Sequence, residues 1–345
     1  MQSYDCVGVV GGGSWGTTLA HLLGKNGNKA LLWLRDKESY LDIKENHRNR
    51  KHTYEIPLSE KIYPTMDLEE IAKRCEIIVV AIPSNNFRQV TYLLGNQVKA
   101  NQILVSACKG LEPQTHYSMT EILKEETCVK KIGVLSGPNL FQEILKGSPS
   151  AGVIASEYQE VIKKIKDIFG SSSYKIYGSQ DVTGVELGGV MKNVVAIASG
   201  IADGLGFGNN TKALALTRGI SEMVKLGMKL GASPWTFTGL SGLGDMLVTC
   251  SSPLSRNYRV GYYLAQGQKL PQILEEMKAV AEGVNTAKVL HEYCKDNQLD
   301  LPIMEGVYQI LHEGKPISQV LSELMHRLSH LEMDTSLLQT ASSME

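Results

Sequence analysis

The feature that most restricts this chain is a short apolar run that stops in a glycine turn. Cys6-Val7-Gly8-Val9-Val10 leads directly into Gly11-Gly12-Gly13-Ser14-Trp15-Gly16. A helical pattern of apolar residues then runs from Thr17 to about Lys25, Gly27-Asn28 ends it, and a second apolar run covers Ala30 to Leu34. Strand, glycine turn, helix and strand in this order form a βαβ unit, whose parallel strands need the helix to cross between them. Gly11-x-Gly13-x-x-Gly16 also has the spacing of a dinucleotide fingerprint in its required context. Gly11 makes the tight turn, Gly13 lets a pyrophosphate approach the backbone, and Gly16 lets helix and strand pack closely. Free N–H groups at the helix start and the helix dipole then favour the diphosphate. The plain alternative is a glycine turn with no ligand.

The end of the second strand bears on which nucleotide binds. An NAD enzyme usually carries an acid there for the ribose hydroxyls. This chain reads Leu34-Arg35-Asp36. Arg35 could pair with a 2′-phosphate, or be a surface cation, while Asp36 one residue later weakens the preference. The expectation is NADPH over NADH, with NAD still possible.

More apolar runs follow: Ile77 to Ile82, Ile103 to Cys108 and Lys131 to Leu135. Their near-continuous hydrophobicity suits strands buried on both faces of a parallel sheet. Ligands gather beyond the carboxyl ends of such strands. Those ends offer Ser84 and Asn85, Lys109, and Gly137 with Asn139. Further strands are predicted over Ser150 to Ala155 and Tyr174 to Tyr177, with a helix from about Tyr158 to Phe169 between them. Residues 36–70 are polar and mixed, and the locally basic run Lys44 to His52 within them reads as a solvated helix or crossover. Strand signals stop at Thr183 and glycine-punctuated helical segments take over. The predicted fold class is α/β: a Rossmann-type doubly wound parallel sheet over residues 1–182, an all-helical domain over 183–335, and a disordered tail over 336–345.

With 345 residues and a net charge of −1, nothing suggests nucleic acid or an anionic membrane as partner. The six cysteines have neither metal-ligand nor CxxC spacing, so no metal is expected and the thiols read as reduced, in a cytoplasmic protein. No apolar run is expected to span a bilayer.

Within the helical part, Gly184 to Gly200 is apolar except for Glu186, Lys192 and two small polar side chains, Asn193 and Ser199. At helical spacing Lys192 meets Gly188, Gly189, Val195 and Ala196, none of them charged. An ammonium in such company either snorkels out at a bend or is buried because something pairs with it or uses it. Gly239 to Asp245 is a glycine-rich loop ending in an acid, which is either an N-cap or a functional carboxylate. Ser255-Arg256-Asn257 opens a helix with a forked cation and an amide donor, a pattern that can hold an oxyanion. Ala281-Glu282-Gly283 is another helix start with an acid.

Together these blocks resemble the NAD(P)-dependent glycerol-3-phosphate dehydrogenases, the bacterial type most closely. The matching residues are Gly11 to Gly16, Lys109-Gly110, Ser136-Gly137-Pro138, Glu186 to Asn193, Asp203 to Gly208, Gly239 to Asp245, Ser255-Arg256-Asn257 and Glu282-Gly283, in family order. The resemblance implies reversible reduction of dihydroxyacetone phosphate to sn-glycerol 3-phosphate, feeding phospholipid synthesis, by an enzyme that is often a homodimer. It implies Lys192 as catalytic acid/base. Lys109, Gly137, Asn139, Asn193, Asp245, Ser255, Arg256 and Asn257 would join it around a phosphorylated triose. Gly11, Gly13, Ser14, Trp15, Gly16, Arg35, Lys109, Arg256, Val280 and Glu282 would line the nucleotide. The chain departs from the family at Asn139, usually a small hydroxyl residue, and at Phe141, usually alanine. Two other readings stay open: a ketopantoate- or hydroxyacid-type dehydrogenase of similar build, and a nucleotide-sensing protein without chemistry.

Overall fold

The computed structural model describes residues 6–277 and 281–327. The chain divides into two compact units, Met1–Glu186 and Leu187–Glu345. The tail expected over 336–345 lies outside the described residues, as does Val280.

The first unit is one eight-stranded sheet in the order β3-β2-β1-β4-β5-β6-β7-β8. Its strands are β1 Val7–Val10, β2 Ala30–Trp33, β3 Ile62–Thr65, β4 Ile77–Val80, β5 Ile103–Ser106, β6 Lys131–Ser136, β7 Ser150–Ala155 and β8 Tyr174–Ser179. Neighbours run parallel except β6 and β7, which pair antiparallel with Ser136 opposite Val153. The connecting helices are α1 Ser14–Lys25, α2 Lys37–Asn46, α3 Arg50–Thr53, α4 Leu68–Arg74, α5 Phe87–Gly95, α6 Met119–Glu126, α7 Phe141–Leu145 and α8 Gln159–Phe169.

Strand side chains alternate between faces, and each face has its own core. Val7, Val9, Leu32, Ile77 and Val79 pack on one side with Leu19, Ile144 and Ile165. Val10, Leu31, Ile78 and Val80 pack on the other with Ile71, Phe87 and Ile122. Each fully buried aliphatic side chain contributes about 1.5–3 kcal/mol of transfer free energy. This two-sided burial explains why the apolar runs are unbroken.

The basic run Lys44 to His52 lies across the end of α2 and the start of α3, and the same polar stretch also holds the strand β3. Asp36 accepts from the Ser39 backbone and hydroxyl, at 3.0 and 2.6 Å, and so caps α2. Among the described residues β3 pairs only with β2, and it exposes Tyr63, so Pro64 is tolerated on this edge strand. Only Ile62 and Thr65 of β3 are buried, which left little hydrophobic signal.

The helices beyond are α9 Val182–Gly204, α10 Asn209–Lys229, α11 Asp245–Ser251, α12 Arg256–Ala265, α13 Leu270–Met277, α14 Glu282–Asp296, α15 Pro302–Tyr308 and α16 Ile317–His326. Against expectation, α9 is long and apolar enough to cross a bilayer by length and composition, with 23 residues and an 18-residue window of mean hydropathy 1.3. Of that window 94% is buried inside the protein, as in a core helix.

Candidate active site

The glycine turn after β1 has the shape of a phosphate cradle. Gly11 takes φ +125°, and a Cβ there would lie 2.3 Å from the Ala81 carbonyl. A Cβ on Gly16 would lie 1.8 Å from the Gly11 carbonyl, so α1 rests directly on the turn. Gly13 differs: a Cβ there would meet nothing within 4 Å. The open side of the turn is therefore at the N-cap of α1, whose first turn holds no acid. Those features fit a dinucleotide diphosphate on unpaired helix N–H groups. The Ser14 hydroxyl is already committed, donating to the His52 carbonyl at 2.8 Å. That leaves Ser14 its backbone N–H as the group for a ligand. The Trp15 indole packs partly buried against the sheet, its Nε1 without a partner among the described residues.

Beyond β2, Arg35 is exposed. Asp36 is held back by its cap to Ser39 and by Lys51 at 3.1 Å. The Ser39 hydrogen bonds, with Lys51 contributing less, lower its carboxyl to about 2. The one acid beside Arg35 is thus occupied with the start of α2.

At the carboxyl end of β6, Gly137 turns with φ +116° and its carbonyl accepts from Lys109 Nζ at 2.8 Å. Asn139 follows, with Oδ1 accepting from the Tyr174 hydroxyl at 3.3 Å. Phe141 stacks on Tyr54 with ring centroids 6.5 Å apart and packs against the sheet core, so its bulk is taken up by the fold.

In the second unit, Lys192 is 7% exposed and Asp245 is fully buried. Lys192 Nζ donates to Asp245 Oδ1 at 2.5 Å and to Thr249 Oγ1 at 2.7 Å. The Thr249 hydroxyl donates in turn to the Asp245 carbonyl at 2.6 Å. Lys192 therefore neither snorkels nor faces a solvated surface. Asp245 is not a cap either: it is the first residue of α11, and Gly244 precedes it as N-cap. A π-turn over Leu240–Gly244 brings the acid to the lysine. It lies so close to α9 that a Cβ on Gly188 would sit 2.5 Å from the Ser241 carbonyl. Thr249 was missed as a partner of Lys192. Its signal was the four-residue spacing from Asp245, which puts both on one helix face.

The start of α12 is built around Ser255, Arg256 and Asn257. Ser255 is the N-cap, its Oγ accepting from the Tyr258 N–H at 3.3 Å, so its own O–H is left to donate. Arg256 is exposed yet ringed by protein, which depresses its guanidinium, with the Glu282 carboxylate opposing. It remains a cation at any working pH. Asn257 is buried and spans three elements. Its Nδ2 donates to Asn193 Oδ1 at 2.9 Å and its Oδ1 accepts the Gly283 N–H at 3.0 Å. Glu282 is the first residue of α14. The predicted residues thus form two clusters, each within its own unit. Gly11, Gly13, Ser14, Trp15, Gly16, Arg35, Lys109, Gly137 and Asn139 stand at the carboxyl edge of the sheet. Lys192, Asn193, Asp245, Ser255, Arg256, Asn257 and Glu282 stand around α9.

Comparison with known proteins gives a consistent result. The family description "NAD-dependent glycerol-3-phosphate dehydrogenase N-terminus" matches residues 6–162, and its "C-terminus" counterpart matches residues 181–322. A glycerol-3-phosphate dehydrogenase [NAD(P)+] of Oceanobacillus iheyensis is 40% identical over 330 residues, covering 95% of this chain and 96% of that protein. One from Ectopseudomonas mendocina is 41% identical over 334 residues, covering 97% and 98%. The crystal structure of glycerol-3-phosphate dehydrogenase from Coxiella burnetii superposes with a TM-score of 0.90 at 30% identity, covering 94% of this chain and 99% of that one. A ketopantoate reductase from Ralstonia eutropha shares the fold at a TM-score of 0.59, with 11% identity.

Proposed function

The chain belongs to the NAD-dependent glycerol-3-phosphate dehydrogenase family, an oxidoreductase family that reversibly reduces dihydroxyacetone phosphate to glycerol 3-phosphate with NAD(P)H, and we propose how its own residues divide that work. The observation that carries the proposal is the buried Lys192–Asp245–Thr249 cluster. An ammonium has three N–H donors. Asp245 and Thr249 take two of Lys192's, and the third is left for the substrate oxygen.

When bound, the reduced nicotinamide supplies a hydride to the carbonyl carbon. Lys192 gives its proton to the carbonyl oxygen as that oxygen becomes a hydroxyl, and takes it back in the reverse direction. Asp245 and Thr249 hold Nζ in one place, so the proton is delivered along a fixed direction. Arg256, the Ser255 hydroxyl and the N–H groups at the start of α12 grip the phosphate. Asn193 and Asn257 keep that grip in register with α9. Lys109, Gly137 and Asn139 contribute the sheet-side contacts to the triose.

The open face of the turn at Gly13 holds the diphosphate, and Ser14, Trp15 and Gly16 shape its flank. Arg35 binds the 2′-phosphate of NADPH, the favoured cofactor, while NADH binds without that contact. The capped state of Asp36 supports this preference, since it removes an acid from the ribose side. Glu282 serves the nicotinamide end of the cofactor. The protein works as a cytoplasmic homodimer supplying glycerophospholipid synthesis, which sedimentation and localisation would check.

The test is NADPH oxidation by purified protein with and without dihydroxyacetone phosphate, with NADH in parallel. Oxidation that depends on the triose phosphate is expected, faster with NADPH. Arg35→Ala should narrow the gap between the two cofactors. Equal rates with both cofactors in the unaltered protein would refute the part given to Arg35.

A further inference from the structure

Tyr174 lies in no motif discussed so far, and it is 1% exposed, at the first position of β8. It pairs with Ser150 on β7, and its ring belongs to the core on one face of the sheet. Its hydroxyl does not stop there. It reaches past Gly152, where a Cβ would stand only 2.7 Å from it, and donates to Asn139 Oδ1. Gly152 is therefore a gap in β7 through which a tyrosine of β8 touches the loop after β6.

A carboxamide has an acceptor at one end and a donor at the other, so fixing one end fixes the other. With Oδ1 held by Tyr174, the Asn139 NH2 group has a defined direction. Its Nδ2 is buried and has no partner among the described residues. A buried donor without an acceptor is costly, and native proteins rarely leave one unless an acceptor arrives. The same loop carries the Gly137 carbonyl that holds Lys109 Nζ, so the donor stands in a polar strand-end cluster. Asn is also longer than the small hydroxyl residue found here in the resembled family, and needs an anchor to present its amide in one orientation.

We propose that Tyr174 is a positioning residue: its hydroxyl, passing Gly152, orients Asn139 so that the Asn139 NH2 group donates to an oxygen of the bound triose phosphate. This rests on the functional reading above and deepens its sheet-side half. Gly152 and Tyr174 form with Asn139 a specificity device outside the α9 cluster.

Steady-state kinetics with dihydroxyacetone phosphate varied at saturating NADPH test it. Tyr174→Phe removes one oxygen from a buried ring and should fold normally. It should raise KM for the triose phosphate by about three- to tenfold, the worth of one hydrogen bond, with kcat within about twofold. Gly152→Ala should shift KM the same way, because its Cβ would stand 2.7 Å from the hydroxyl and displace it. In an Asn139→Ala background, whose own KM is raised, Tyr174→Phe should add nothing. An unchanged KM in Tyr174→Phe or Gly152→Ala overturns the inference. So does a further rise on adding Tyr174→Phe to Asn139→Ala, or a fall in kcat without a change in KM. Failure of the functional reading shows separately, as wild-type protein that oxidises no NADPH when the triose phosphate is added, and the inference falls with it.

Discussion

Lys192 and Asp245 form an ion pair with side chains 9% and 1% exposed, which makes the consequences of breaking it calculable. Asp245→Asn leaves a buried ammonium without its counter-charge, and Lys192→Met leaves a buried carboxylate alone. Each should destabilise the protein by about 3–5 kcal/mol, since solvent cannot reach the orphaned charge. The double variant Lys192→Met/Asp245→Asn buries no charge, and should cost only about 1–2 kcal/mol for lost hydrogen bonds. The two single costs together should thus exceed the double cost by at least about 4 kcal/mol. Urea denaturation followed by circular dichroism reads the stabilities. NADPH oxidation with dihydroxyacetone phosphate reads the chemistry, where either single variant should lose about 10²- to 10⁴-fold in kcat and the double no more than Lys192→Met. NADPH binding should persist in all three. Additive stability costs would show that the pair is solvated. A near-normal kcat for Lys192→Met would remove the lysine from proton transfer.

Glu222 on α10 is buried and accepts the N–H groups of Ile303 and Met304, at 2.7 and 3.1 Å, where α15 begins. Burial raises its carboxyl from 4.5 to about 7, the two N–H bonds opposing. A folded-state pKa above the unfolded one means the native state binds the extra proton, so this group's contribution is full below pH 4.5 and is lost as pH rises to about 7. The loss is about 3 kcal/mol, and Glu222→Gln should flatten that part of the denaturation-midpoint profile; an equally steep profile would contradict it. Gly13→Ala should leave the thermal midpoint unchanged, because its Cβ meets open space, yet weaken NADPH binding by titration calorimetry. Gly16→Ala should lower the midpoint as well, because its Cβ meets the Gly11 carbonyl. Arg256→Ala should raise KM for the triose phosphate far more than it changes NADPH affinity, and an unchanged KM would end its assignment to the phosphate.

The buried strands were legible because two-sided burial writes unbroken apolar runs. β3 was not, because an edge strand with two buried residues and Pro64 carries almost no such pattern. The burial of Lys192 was legible from uncharged neighbours at helical spacing. Its pairing with Asp245 and Thr249 was not, since it depends on a π-turn that a run of glycines only permits. The link from Tyr174 to Asn139 lies 35 residues apart in the chain and passes through a gap at Gly152, so no local spacing announces it. The change of character read at Thr183 falls at the start of α9, and that helix runs without a break through Glu186–Leu187, where the two units meet in sequence.

The Asn257 carboxamide joins α9, the start of α12 and the start of α14 through Asn193 and Gly283. Mechanically this is a pinned joint with three arms. A shift in any one helix is handed to the other two instead of being absorbed locally. Arg256 and Glu282 stand one residue from the pin on their respective arms, so their spacing is a dimension the joint maintains. Space is tight there too, because a Cβ on Gly283 would lie 2.6 Å from the Asn193 carbonyl. Over evolutionary time Asn193, Asn257 and Gly283 should therefore change together or not at all, while exposed residues on the same helices drift freely.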